Sequence, residues 1–405
     1  MPQPNLAHTF ADMLPSMAVE SRGADFPDPQ LLVLNEELAA ALGLDCGWLR
    51  SDDGLRWLTG AYSGHATAYA GHQFGQFVPL LGDGRALLVG DLPSPDGRVE
   101  IQLKGSGPTP FSKPGSDGRG ALGPMLREYL VSEFMHAAGV PTTRSLAVLT
   151  TGETVLRQHG PVPGGVVVRV ARSHLRVGSV QYAATQSADL VGDVVAAAGF
   201  DAPEDLLAAV MERQLDLVAQ WMRLGFVHGV MNTDNTALSG ETIDYGPCAV
   251  TERFVGDACY SSIDTGRRYA FGNQPDIMAW NLTRLAEALL PVSNADAMRE
   301  VLGDIEPTWH RAWAKHIPDP EALGQASDIT TYNREHHGGP VFVPRNQMLE
   351  SAITAAEVAT ADQERDMAPY RELLAAVTDP YNAKAGPAWM AEPEGEAPFT
   401  TFCGT

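Results

Sequence analysis

The chain has 405 residues, 44% of them hydrophobic and 7% aromatic, which is enough to bury a sizeable core and too much for a disordered chain. Its formal net charge of −22 disfavours nonspecific contact with nucleic acid or an anionic membrane, because phosphate binding needs Lys and Arg. Any phosphate chemistry must therefore use a locally basic pocket. Cysteines stand only at 46, 248, 259 and 403, too scattered for a disulfide scaffold, and no C-x-x-C pair suggests zinc. No apolar run approaches the roughly 20 residues of a membrane span. The N-terminus lacks a basic region followed by an apolar stretch, so cytoplasm is the expected compartment.

In chain order, residues 1–60 are mixed, with a helical pattern at "PQLLVLNEELAAALG". Two Gly-rich pieces follow, "YSGHATAYAGHQFGQF" and "LGDGRALLVGD". "ALLVGD" and "VEIQLKG" read as strands, and "GSGPTPFSKPGSDGRGALG" as a long loop. Leu126, Leu130 and Phe134 at i, i+4, i+8 predict a helix from about Gly123 to Ala138, with Pro124 in its first turn. "SLAVLTT" and "GGVVVRVA" are further strands. A helix is predicted from Pro203 to Leu224, stopped by Gly225. After a polar loop the chain reads as helical at "DIMAWNLTRLAEALL", "NQMLESAITAAEVAT" and "MAPYRELLAAV", and residues 380–400 as an extended tail. Strands first and helices second point to an α+β chain.

The polar loop, "HGVMNTDNTALSGETIDYG", has the parts of a kinase-type catalytic segment, with one displaced. Val230 stands where a kinase-like enzyme puts its catalytic Asp, and the acid comes at Asp234, beside Asn235. Asp244-Tyr245-Gly246 follows. An Asn and an Asp flanking a short turn can hold Mg²⁺ together with a nucleotide's phosphates, and a third carboxylate can take a proton or support the metal. His228 reads as a brace for the loop. Lys104, at the end of an apolar strand ahead of a Glu-bearing helix, matches the Lys–Glu arrangement of kinases. Glu128 and Glu133 are both candidate partners, on different helix faces. "GDGR" at 82–85 and "DGR" at 117–119 can form anion nests, with Arg169 and Arg176 as further phosphate ligands; "GDGR" alone would read as a hairpin turn. "GHQFGQF" offers no derivable chemistry. By itself Cys403 reads as a free thiol on a mobile tail.

The motifs "YAGHQFGQF", "LGDGRALLVGD", "QLKGSGPTPFSK", "LREYLVSEFMHAAGVPTTRSLAV", "VRVARSHLRVGS" and "GFVHGVMNTDNTALSGETIDYGP" together resemble selenoprotein O and its cysteine-containing bacterial relatives of the YdiU type, over about residues 62–290. The resemblance implies a protein-kinase-like, two-lobed fold. It places an N-terminal extension at 1–60, an N-lobe at 61–185, a helical C-lobe at 186–310, and a helical extension with a redox tail at 311–405. It further implies a protein adenylyltransferase that binds ATP in a flipped orientation and transfers AMP to Ser, Thr or Tyr hydroxyls with Mg²⁺ or Mn²⁺. Self-modification and UMP transfer stay open. So do two alternatives: a kinase-like phosphotransferase and a non-catalytic ATP-binding pseudokinase. Carried over by motif, Gly82, Gly84, Arg85, Lys104, Asp117, Gly118, Arg169, Arg176 and Asp244 would bind nucleotide, with Asp117 at the adenine end. Glu128 would orient Lys104, Asp234 would accept the proton, and Asn235 and Asp244 would bind metal. The family's tail implies a regulatory disulfide between Cys259 and Cys403. The chain departs from the family at Lys113, where relatives have Arg, and in a shortened stretch between Pro307 and Asn333.

Overall fold

The computed structural model describes residues 4–95, 97–157, 160–358, 365–395 and 398–402. Among them the strands are β1 (Ala18–Arg22), β2 (Gln30–Leu34), β3 (Ser63–Thr67), β4 (Gly71–Gln73), β5 (Gln76–Val78), β6 (Ala86–Ser94), β7 (Gly97–Lys104), β8 (Gly120–Ala121), β9 (Arg144–Arg157), β10 (Gly160–Ala171), β11 (Phe226–Val227) and β12 (Ala249–Val250). Eight form one antiparallel sheet in the order β1-β3-β6-β7-β10-β9-β2, with β8 paired to β10; β4–β5 and β11–β12 are separate ribbons. The fold is thus a mixture of an antiparallel sheet and many helices.

The two-residue period of the strands assigns each side of the sheet a different task. Leu87, Val89, Ile101, Leu103, Val166 and Val168 pack on one face against Leu38, Trp57 and Leu58 from the N-terminal segment. Leu88, Val148 and Val167 pack on the other against Leu126, Leu130 and Phe134 of the helix Leu122–Ala137. Lys104 sits opposite Val167, and Gln102 opposite Arg169, so these polar groups share the helix-facing side. That helix is buried nearly all round. Its far side is covered by the C-terminal helices Asn346–Glu357 and Ala368–Thr378: the Tyr370 hydroxyl donates to the Leu126 carbonyl at 2.8 Å, and the Gly123 N–H donates to Glu357 Oε1 at 2.8 Å.

The helix Pro203–Leu224 ends where expected, with Gly225 left-handed at φ 70°. Two expectations are corrected. "PQLLVLNEELAAALG" is not one helix: Gln30–Leu34 pairs with β9, and the helix begins only at Glu36. Asn35 makes the break by accepting the Leu38 N–H at 3.0 Å as N-cap. The stretch expected as an extended tail, 380–400, is also docked, not merely extended. Ala388–Ala391 is a 3₁₀ turn with Met390 buried, and the Thr401 N–H donates to the Tyr260 carbonyl at 2.7 Å. No helix among the described residues is long and apolar enough to cross a membrane.

Candidate active site

Strand β7 ends on Lys104, whose Nζ lies 2.6 Å from Glu128 Oε2 and 2.5 Å from Asp244 Oδ1. Arg169 on the neighbouring strand bonds Glu128 Oε1 through Nε and comes within 3.6 Å of Asp244 Oδ1. Glu128 is fully buried between two cations. Burial pushes its pKa up, and Arg169 and Lys104 more than reverse this, holding it below the ordinary value. Burial likewise opposes ionisation of Asp244, but Lys104, Arg169 and Arg85 outweigh it and hold that carboxyl well below the usual range. Glu133, the other candidate, is spent elsewhere: it pairs with Arg144 at 2.7 Å and accepts from Asn35 at 2.8 Å.

Downstream of β11 the catalytic-type loop folds around His228. Its Nε2 donates to the Ile243 carbonyl at 3.0 Å, and Nδ1 accepts from the Val230 N–H at 3.3 Å. Burial lowers its pKa, so it is a neutral brace joining the two halves of the loop. Val230 is buried. Thr233–Asn235 form a 3₁₀ turn that holds Asp234 and Asn235 side by side. The Asn235 amide donates to the Val230 carbonyl at 3.1 Å and to Asp244 Oδ2 at 3.3 Å. Asp234 Oδ1 is buried and has no hydrogen-bond partner. Burial pushes the Asp234 pKa up to about 6, against the opposing pull of Arg176 and Gln73. Arg176 donates to the Asp234 carbonyl at 3.0 Å, lies over the Tyr69 ring at 4.5 Å, and comes within 3.9 Å of Asp83.

The stretch without derivable chemistry turns out to support this turn. Gly71–Val78 is the β4–β5 hairpin, and it clamps the 3₁₀ turn from outside. The His72 N–H donates to Thr233 Oγ1 at 2.7 Å, which donates to Gln181 Oε1 at 2.7 Å. The Phe74 N–H donates to Asn232 Oδ1 at 3.1 Å, an oxygen that also accepts from the Tyr269 hydroxyl at 2.5 Å. A Cβ on Gly71 would sit 2.3 Å from Asp234 Oδ1, so this position has no room for a side chain. Phe74 and Gly75 both have positive φ, 52° and 84°, at the hairpin tip. Such a tip suits Asn-Gly, and a Phe there carries strain of about 1–3 kcal/mol. The two close-set glycines were the available signal for a tight hairpin; its partner across more than 150 residues of chain was not visible.

These elements enclose a cleft of about 430 Å³. Of the residues singled out in the sequence, Gly82, Gly84, Arg85, Lys104, Arg169, Arg176, Asp234, Asn235 and Asp244 line it, joined by Tyr69, Phe74 and Lys113. Glu128 stands behind Lys104. The "GDGR" turn is buttressed by the long loop: Thr109 Oγ1 donates to the Asp83 carbonyl at 2.6 Å, and the Phe111 ring packs where Gly82 has no side chain. Asp117 is not in the lining; it pairs with Arg157 at 2.9 Å. Gly118 packs on Gly107 and Pro108. Cys259 is half-buried, 3.6 Å from the Asp264 carboxylate, and Cys403 lies outside the described residues.

The oxygen donors suit a hard cation. Asp234, Asn235 and Asp244 line one cleft rich in Arg and Lys, and the Asn235 amide bonds Asp244 Oδ2. They are too few to enclose a metal by themselves. No group of three or more His, Cys, Asp or Glu is arranged to hold a metal among the described residues. A cation here would need further oxygen ligands from water or a bound molecule.

Comparison with known proteins gives a family. A family model described as protein adenylyltransferase SelO matches residues 5–332. The chain is 43% identical to the protein nucleotidyltransferase YdiU of Mycobacterium sp. (strain KMS), covering 98% of both chains. It is 43% identical to the protein of that name from Corynebacterium glutamicum (strain R), again over 98% of both. Identity to its counterpart from Rhodococcus jostii (strain RHA1) is 42%, over 99% of this chain and 94% of the relative. The alignment with the Mycobacterium protein runs over 492 positions, so that relative carries segments which this chain of 405 residues lacks.

Proposed function

The chain belongs to the SelO family, and from that premise and the geometry of the cleft we propose that it is a protein adenylyltransferase using ATP. The fold reading that goes with it is kinase-like and two-lobed, with lobes at 61–185 and 186–310 flanked by extensions at 1–60 and 311–405. In the reaction, the oxygen of a Ser, Thr or Tyr hydroxyl on a protein attacks the α-phosphorus of ATP. The bond to pyrophosphate breaks, and the hydroxyl proton passes to Asp234. The observation that carries this reading is the Asp234 carboxylate oxygen. It is buried and unpartnered beside Gly71, and Asp234 lines the same cleft as Lys104, Arg169 and Arg176, while the kinase-type base position holds Val230.

Lys104, Arg85, Arg169 and Arg176 would neutralise the phosphates, and Glu128 would keep Lys104 extended toward them. Gly82 and Gly84 would let backbone N–H groups approach the nucleotide. Asn235 and Asp244 would hold Mg²⁺ or Mn²⁺, which when bound supplies charge neutralisation of the phosphoryl oxygens. The nucleotide takes the flipped orientation, with the adenine toward the loop that contains Asp117 and Gly118. A disulfide from Cys259 to Cys403 belongs to the same reading. It is supported by Thr401, two residues before Cys403, which bonds the backbone of Tyr260 and Ser262 beside Cys259. Peptide mapping of oxidised protein tests the bridge, and free thiols at both positions would remove it.

The test of the activity is incubation with Mg²⁺ or Mn²⁺ and ATP labelled at either the α- or the γ-phosphate. Label on protein from the α position alone is expected; label from γ alone would make the protein a kinase. Asp234→Ala should cut transfer by about 10²–10⁴-fold while ATP still binds.

A further inference from the structure

The hairpin tip that clamps Asp234 continues outward into an aromatic surface. Phe74 lines the cleft yet is 37% exposed, and Phe77 and Ile263 are each 44% exposed. One side of the Phe74 ring packs on the buried Tyr269 at 5.2 Å, and the strained backbone leaves its other side open beside the cleft, free for a ligand. The surface extends through contacts on both sides of the tip. The Phe77 ring lies 4.9 Å from His72, and His72 lies 5.1 Å from Trp280. The Arg268 guanidinium stacks on Trp280 at 4.8 Å and sits beside Gly75. No carboxylate pairs with Arg268 among the described residues, and its Nε lacks a hydrogen-bond partner. In a chain of net charge −22, an Arg set over an indole and left without an acid is an opening for an external one.

We propose that Phe74, Phe77, Ile263, Trp280 and Arg268 form the docking surface for the acceptor polypeptide, which binds as an extended segment with an apolar side chain near its hydroxyl and an acidic residue for Arg268. The proposal rests on the adenylyltransferase reading for its purpose. Its geometric basis is continuity with the cleft: Phe74 and Ile263 line it, and Phe74 is hydrogen-bonded to Asn232, two residues before Asp234. Aromatic and Arg side chains at the centre of such a patch carry most of the affinity of a peptide contact. The acidic residue opposite Arg268 supplies direction, so that one hydroxyl is presented in preference to others.

The test measures binding separately from chemistry. A fluorescein-labelled peptide, Asp-Leu-Tyr-Leu-Glu, and its twin with Lys for both acids are titrated with the full chain and followed by anisotropy. The acidic peptide is expected to bind and the Lys twin at least tenfold more weakly. Arg268→Glu should reverse that preference, and Phe77→Ala should weaken the acidic peptide about fivefold without changing the affinity for a fluorescent ATP analogue. Phe74→Asn relieves the left-handed backbone, so it should raise the melting temperature and yet weaken the peptide, which a purely structural ring would not do. No binding of the acidic peptide, or equal binding of both peptides by the wild type and Arg268→Glu, overturns the proposal. Transfer of α-label to the bound peptide is scored separately. Its absence with binding intact would fall on the adenylyltransferase reading, not on the surface.

Discussion

Gly71 shows how far one missing side chain reaches. Its hydrogen leaves room for the Asp234 carboxylate, and a methyl would also press on Leu81 at 2.8 Å. Gly71→Ala should cost about 1–3 kcal/mol, read as a lower denaturation midpoint. Its larger effect should be on turnover, because Asp234 must move while Lys104 and Arg169 need not; kcat should fall well before ATP affinity does. Glu128 is the opposite case, a side chain that cannot be removed cheaply. Glu128→Ala leaves the buried Lys104 and Arg169 with Asp244 alone, and should cost about 3–5 kcal/mol in urea unfolding.

Helix ends set where the loops begin. Gly225 closes the helix Pro203–Leu224 in a left-handed turn, and a Cβ there would lie 2.4 Å from the Thr251 carbonyl. That turn aims the chain into β11 and then into the His228 loop. Gly225→Ala should therefore cost about 2 kcal/mol, seen as a lower thermal midpoint. Asn35 does the same for the N-terminal segment: it caps the helix Glu36–Ala41 and its amide reaches Glu133 at 2.8 Å. Asn35→Ala should lose about 1 kcal/mol through the cap, with a further loss from the buried Glu133 contact.

The C-terminal region is joined to the rest by buried polar contacts as well as by packing. Arg345 is buried and pairs with Asp328 at 2.9 Å and Glu252 at 2.7 Å. Burial pushes the Asp328 pKa up, but Arg345 and Thr331 more than offset it and hold it below the ordinary value. A depressed carboxyl contributes stability that is complete above the unfolded pKa, about 3.9, and is lost as pH falls through the folded value. Asp328→Asn should lower stability by about 3 kcal/mol at pH 7. In urea midpoints the difference from wild type should narrow as the pH is taken down to 3; a constant difference would mean that the carboxylate charge is not what stabilises.

Much of this protein could be read from local pattern. Short apolar runs beside Gly-rich, turn-like pieces marked the strands that carry Lys104 and Arg169, an i, i+4, i+8 pattern marked the helix that carries Glu128, and Gly225 marked a helix end to the residue. Those features depend on neighbours in sequence, so the sequence contains their cause. The order of Lys104, Glu128, Asp234, Asn235 and Asp244 likewise marked the candidate site, because each residue type has its own chemistry. What lay beyond reach depends on partners far along the chain. Glu133 is spent on Arg144 because helix facing, set by packing on the sheet, turns it away from Lys104. Asp117 turns to Arg157 on β9 instead of the cleft. The hairpin at Gly71–Val78 acquires its role only when the 3₁₀ turn at 233–235 arrives beneath it, and burial there, not the identity of the acid, is what raises Asp234. Close approach and desolvation are properties of the assembled structure, and no run of residues states them in advance.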